Sequence, residues 1–131
     1  MIRLATPDDI LPIVGMVVRL RAAVGGPVAV DRAWTARTLA ELVASPDGAV
    51  WTSGGGFLAA SLTQTVISPQ PVAQELGWWS GDGSGLRLLR AYEAWARERG
   101  AALIQLSTGP EGPDLARLGY WRAEQSWVRE L

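Results

Sequence analysis

The sequence predicts a mixed α/β fold of the α+β kind, a mostly antiparallel central sheet with helices on both faces, in the order β-α-α-β-β-β-α-β-α-β. Three observations predict it. Two amphipathic helical stretches follow a short first strand. Three strand-like segments then run consecutively, the pattern of an antiparallel meander. A helical stretch from Gly85 to Gly100 lies between two apolar runs, a crossover that makes its flanking strands locally parallel. At 131 residues the chain reads as a single domain spanning 1–131, large enough for a core and too short for a second one.

Each element has its own signal. Ile2-Arg-Leu-Ala-Thr6 is short and alternating, as a first strand should be. Thr6 then caps a helix with Pro7 at its first position and Asp8 and Asp9 in its positive first turn. Ile10, Ile13, Val14, Val17 and Val18 share one face of that helix, which stops before Gly25-Gly26-Pro27. A second helix starts near Asp31, carries Trp34, Leu39, Leu42 and Val43 inward, and stops at Ser45-Pro46-Asp47-Gly48. Ala49–Thr52 and Phe57–Thr63 flank Ser53-Gly54-Gly55-Gly56, a hairpin signal. After the loop Ser68–Pro71 comes a strand ending at Trp79, then the long helix. Ala102-Leu-Ile-Gln-Leu-Ser107 suits a buried strand, a short helix covers Asp114 to Leu118, and Tyr120 to Leu131 reads as closing β structure.

Composition narrows the function. No cysteine means no disulfide, no thiol nucleophile and no thiolate metal site. No histidine removes the commonest general base and the commonest zinc ligand, so no metal is expected. The start of the chain lacks the basic-then-apolar order of a signal peptide, and no apolar run is long enough to cross a membrane; a cytoplasmic protein without a membrane partner is the expectation. A formal net charge of −1 argues against strong nonspecific binding to nucleic acid. Every basic residue is arginine, which a GC-rich coding sequence explains better than a demand for the guanidinium fork.

The richest signal is Glu75-Leu-Gly-Trp-Trp-Ser-Gly-Asp-Gly-Ser-Gly85, followed at once by an amphipathic helix. Gly81, Gly83 and Gly85 let the backbone turn sharply and approach a ligand. Their loop runs into a helix start, where unpaired N–H groups and the positive dipole end favour an anion. A phosphate-bearing cofactor is therefore expected. A P-loop is excluded, since no lysine exists to follow the glycines. A Rossmann site is disfavoured, because the glycines come after several strands rather than after the first strand of a βαβ unit.

At these residues the chain resembles the GNAT superfamily of acyl-CoA-dependent N-acetyltransferases. Ser80-Gly-Asp-Gly83-Ser-Gly85-Leu-Arg-Leu88-Leu89 is similar to that family's pyrophosphate loop, with Ser80 where Gln or Arg is usual. Arg117-Leu118-Gly119-Tyr120 is similar to its leucine-glycine-aromatic ending of the last helix, and the Glu-Leu-x-Trp-Trp strand most resembles small phage-type members. The resemblance implies acetyl-CoA as co-substrate, with backbone groups of Trp78, Trp79 and Ser80 pairing with the pantetheine amides. It implies that the amides of Gly81, Gly83, Ser84 and Gly85 hold the pyrophosphate. It also implies direct attack of a primary amine, on a small molecule or a peptide, upon the thioester, with Glu75 as a general base working through water.

Other roles are weaker. The family's usual tyrosine falls on Leu115, so no general acid is expected there; Tyr120 is assigned to packing, while Ser107 or Thr108 offers a hydroxyl. Trp34 and Trp51 are candidates for lining an acceptor cleft, although tryptophan in a small domain is usually core. Glu93 reads as a solvated charge paired i,i+4 with Arg97. Two alternatives stand beside the enzyme: a degenerate acyl-CoA-binding or assembly module, and acetylation of an amine-bearing modified base in phage DNA. Acceptor identity and the choice between monomer and homodimer stay open.

Overall fold

A five-stranded sheet in the order β1-β2-β3-β4-β5 organises the chain in the computed structural model, which describes all of Met1–Leu131. Strand β1 is Arg3–Leu4, followed by helices α1 (Ile10–Val24) and α2 (Arg32–Ala44). Strands β2 (Gly48–Thr52), β3 (Gly56–Thr63) and β4 (Val72–Ser80) form the predicted antiparallel meander. Helix α3 (Gly85–Glu98) then crosses over to β5 (Ile104–Gln105), which pairs parallel with β4.

Local chemistry fixes the helix starts. The Asp9 carboxylate accepts from the Thr6 N–H at 2.8 Å and from two Arg3 nitrogens at 2.6 and 2.8 Å, which ties β1 to the turn before α1. Pro12 is tolerated because it lies in the first turn, where its missing N–H has no intrahelical partner to lose. Asp31 caps α2 by accepting from Trp34 N at 3.0 Å.

Two clusters fill the two sides of the sheet. On one, Leu88, Leu89, Tyr92 and Ala96 of α3 pack on Trp51, Leu58, Ala60 and Ala73. On the other, Ile13, Val14 and Met16 of α1 and Leu39 of α2 pack on Val50, Phe57 and Ala59. Residues 57 to 60 alternate between the clusters, the period-two pattern of a strand covered on both faces. Helices therefore lie on both sides, as expected.

Five expectations need correction. Trp34 is 62% exposed, held under Arg37 on the outside of α2, whereas Trp51 is core and stacks edge-on against Trp95. Glu93 is buried and pairs with Arg90 at 2.7 Å instead of Arg97, because it also accepts from the Tyr120 hydroxyl at 3.0 Å. Of the strand expected over 102–107 only Ile104–Gln105 pairs, and the expected helix near Asp114 is one 3-10 turn, Ala116–Leu118. The closing β structure is absent: 120–131 is irregular, and beyond Tyr120 no residue makes a backbone–backbone hydrogen bond. Gly109, Pro110, Gly112 and Pro113 interrupt the chain just after β5, so no extended edge is left to pair with it.

Candidate active site

The site begins with a bulge in β4. Ala59 pairs with Gly77 and Ala60 with Glu75, so Leu76 is an extra residue. The bulge reverses which residues face which helix. Ala73 lies in the α3-side cluster, whereas beyond Leu76 it is Trp78 that packs there and Trp79 that packs on the α1–α2 side. The two indoles thus sit on opposite faces, and Trp79 lies 5.7 Å from the Arg19 guanidinium.

On its other edge β4 pairs with β5 only at Ala73 and Gln74. Beyond them β4 is unpaired on this edge, and a slot opens beside Glu75–Trp78. Backbone groups in an antiparallel strand point alternately to either side. Gly81 N donates to Gly55 O at 2.8 Å, so Gly81 and, two residues back, Trp79 turn their backbone towards β3. Trp78 and Ser80 consequently direct their N–H and C=O groups into the slot. The Trp78 ring is fixed by its own bond from Nε1 to Gly85 O at 3.2 Å.

The slot leads to the glycine loop. Gly83 has φ +76°, the left-handed region that a β-branched residue would occupy only with strain. The loop is cross-linked through Asp82, which accepts from Ser53 Oγ at 2.7 Å, Ser80 Oγ at 3.1 Å and the Ser84 hydroxyl. The Ser84 bond first, and then Ser53, hold the Asp82 carboxyl well below the usual carboxylate range, so it is ionised throughout the physiological range. Ser84 N is committed to Ser80 Oγ at 2.9 Å and to Asp82 at 3.2 Å. Of the amides expected to hold a pyrophosphate, those of Gly81 and Ser84 are therefore engaged within the protein. The N–H groups of Gly83, Gly85, Leu86 and Arg87 have no acceptor in the chain. Three of these open the first turn of α3, where the helix dipole favours an anion.

Glu75 stands at the point where β4 and β5 part. Its Oε1 accepts from Ser107 N at 3.0 Å, and burial pushes its pKa above the ordinary value despite that bond. It lines a cleft of about 250 Å³ together with Leu20 and Val24 of α1, Leu76 and Trp78 of β4, and Ser107–Gly109. No phenol lines this cleft. Tyr92 is fully buried and donates to Gln105 O at 3.0 Å; burial first, then the Glu75 charge, raises its pKa. Tyr120 is committed to Glu93, and burial together with that bond raises its pKa too. Leu115 precedes the 3-10 turn and offers no proton.

Neither Trp34 nor Trp51 reaches the cleft. The residues that reading from sequence missed are Asp82 and Ser53. Asp flanked at two-residue spacing by Ser80 and Ser84 marks a self-bonded turn, since short polar side chains bond neighbouring backbone. Ser53 lies 29 residues from Asp82, and only the hairpin brings it there.

No family model and no curated protein sequence matches the chain. Solved structures do. A GNAT family acetyltransferase of Staphylococcus aureus superposes with TM-score 0.69 at 16% identity, covering 100% of this chain and 98% of that one. A predicted acetyltransferase of Clostridium acetobutylicum, solved with acetyl-CoA, gives TM-score 0.78 at 15% identity, over 100% and 95%. An aminoglycoside acetyltransferase from an uncultured soil metagenomic sample, in complex with sisomicin, gives 0.64 at 19%, over 100% and 93%. At such identities the likeness is one of fold: this chain has the fold of these acetyltransferase structures.

Proposed function

We propose that the chain is an acetyl-CoA-dependent N-acetyltransferase that passes the acyl group to a primary amine by direct attack. The observation that carries this reading is that the edge of β4 left unpaired beyond Gln74 runs, within a few residues, into the acceptor-free amides at the start of α3. An extended arm lying along β4 would meet the N–H and C=O groups of Trp78 and Ser80, and a pyrophosphate at its end would meet Gly83, Gly85, Leu86 and Arg87. The chain's residues fit such a group in shape and donor chemistry, with one opposing feature: the Asp82 charge sits in the same loop and repels an anion. Acetyl-CoA, when bound, supplies an acyl group activated as a thioester.

The protein's own work is proton transfer and positioning. An amine that is protonated at neutral pH must lose a proton before it can attack. In this reading Glu75, ionised above its raised pKa, takes that proton through a water, and its bond from Ser107 N supports the role by fixing the carboxylate. Ser107 and Thr108 supply hydroxyls at the same cleft. The thiolate leaves without a phenol to protonate it, which costs rate and does not forbid turnover. Release of free thiol from acetyl-CoA over a panel of amines tests the reading.

One observation favours a second reading, an acyl-CoA-binding module without turnover. Both phenols are committed elsewhere, to Gln105 O and to Glu93. Acetyl-CoA binding without thiol release for any amine would select it.

A further inference from the structure

The cleft at Glu75 says something about the acceptor, on the premise that the acetyl-transfer reading holds. Three residues that line it, Leu20, Val24 and Leu76, carry apolar side chains, while the Trp78 ring lies on the α3 side; Glu75 is the single ionisable group, beside the hydroxyls of Ser107 and Thr108. Val24 and Leu76 are each about half exposed although large and apolar, so they offer surface that a ligand would cover. A ligand with several ammonium groups would find one carboxylate in the lining, so its second and third charges would lie unpaired. The space, about 250 Å³, is at the small end for ligand sites. We infer that the acceptor is a small monoamine carried on an apolar body, its ammonium paired with Glu75 and its ring or chain against Leu20, Val24 and Leu76, and that polyamines and aminoglycosides are poor acceptors.

Thiol release from acetyl-CoA is compared for 2-phenylethylamine, spermidine and sisomicin, each also titrated by calorimetry in the absence of acetyl-CoA. The inference expects 2-phenylethylamine to exceed both others in kcat/KM by on the order of tenfold or more. Val24→Glu, a substitution at a half-exposed helix position, adds a second carboxylate and should lower the ratio of 2-phenylethylamine to spermidine by about tenfold while acetyl-CoA affinity stays unchanged. Spermidine or sisomicin equal to or better than 2-phenylethylamine would overturn the inference and leave acetyl transfer standing. Absence of thiol release with every amine would overturn acetyl transfer itself. The calorimetric order of the three amines then decides the inference alone, tighter binding of 2-phenylethylamine upholding it and the reverse order refuting it.

Discussion

The two halves of the slot are built differently. On the β4 side the strand is paired along its whole length with β3, the loop after it is tied by Ser53, Asp82 and Ser84, and α3 starts at once. On the β5 side two residues pair, and most of the chain from there to Leu131 is irregular. Backbone groups that would hold a coenzyme are therefore fixed before it arrives, so little ordering cost accompanies binding on that side. The acceptor side is shaped by Glu75, α1 and a segment with few internal bonds. On the proposed function the coenzyme would use the Trp78–Ser80 end of β4 and the start of α3, and the acceptor Glu75 and α1, so variants at the two places should fail separately.

The largest expected effect separates them cleanly. Glu75→Gln should lower kcat by about 10²-fold or more with acetyl-CoA affinity nearly unchanged. The same variant should be more stable than wild type at neutral pH. A carboxyl whose folded pKa is raised contributes no penalty at low pH, where it is protonated in both states. As pH climbs from the ordinary value through the raised one, the unfolded chain releases the proton first and stability falls. Thermal melts of both proteins at acidic and neutral pH check this, and the wild-type rate should fall with acid over the same window.

On the other half, Gly83→Val should weaken acetyl-CoA binding by about tenfold or more, since the left-handed backbone at φ +76° cannot hold a β-branched residue and each charge-assisted bond lost costs roughly 1.5–3 kcal/mol. Gly85→Val should act in the same direction by covering its amide. Calorimetry reads both. Tyr120→Phe should leave kcat within about twofold and cost roughly 1–3 kcal/mol of stability, because Glu93 is buried and loses an acceptor bond. A loss of rate with unchanged melting would instead make Tyr120 the missing acid. The smallest effect is that of Asp82→Asn, which should tighten acetyl-CoA by about three- to tenfold at low salt and less at high salt, by removing a like charge from the loop.

The same asymmetry decided what could be read from sequence. Helices α1, α2 and α3 and the meander carry strong local signals, apolar periodicity bounded by Pro, Gly and Asp caps, and they lie where expected. The glycine loop was legible as a turn into a helix, but its bonding was not: which amides remain free depends on Asp82, Ser53 and Gly55, brought together by the hairpin. The bulge at Leu76, which assigns Trp78 and Ser80 rather than Trp79 to the slot, has no mark in the sequence, since pairing register is a property of two strands. Trp34 misled because a tryptophan at a helical spacing looks apolar, while its ring is held outside by Arg37. The segment from 120 on, expected as closing β structure, finds in β5 a neighbour of only two residues.

The central claim is that acetyl-CoA lies along β4 with its pyrophosphate on the start of α3. Titration of uniformly 15N-labelled protein with acetyl-CoA, read at the backbone amides, tests it directly. The account predicts large shifts at the acceptor-free N–H groups of Gly83, Gly85, Leu86 and Arg87 and smaller ones at Gly81 and Ser84, whose hydrogens are already bonded within the protein. Saturating acetyl-CoA that leaves those four resonances in place, or that moves only amides away from β4 and α3, would contradict it.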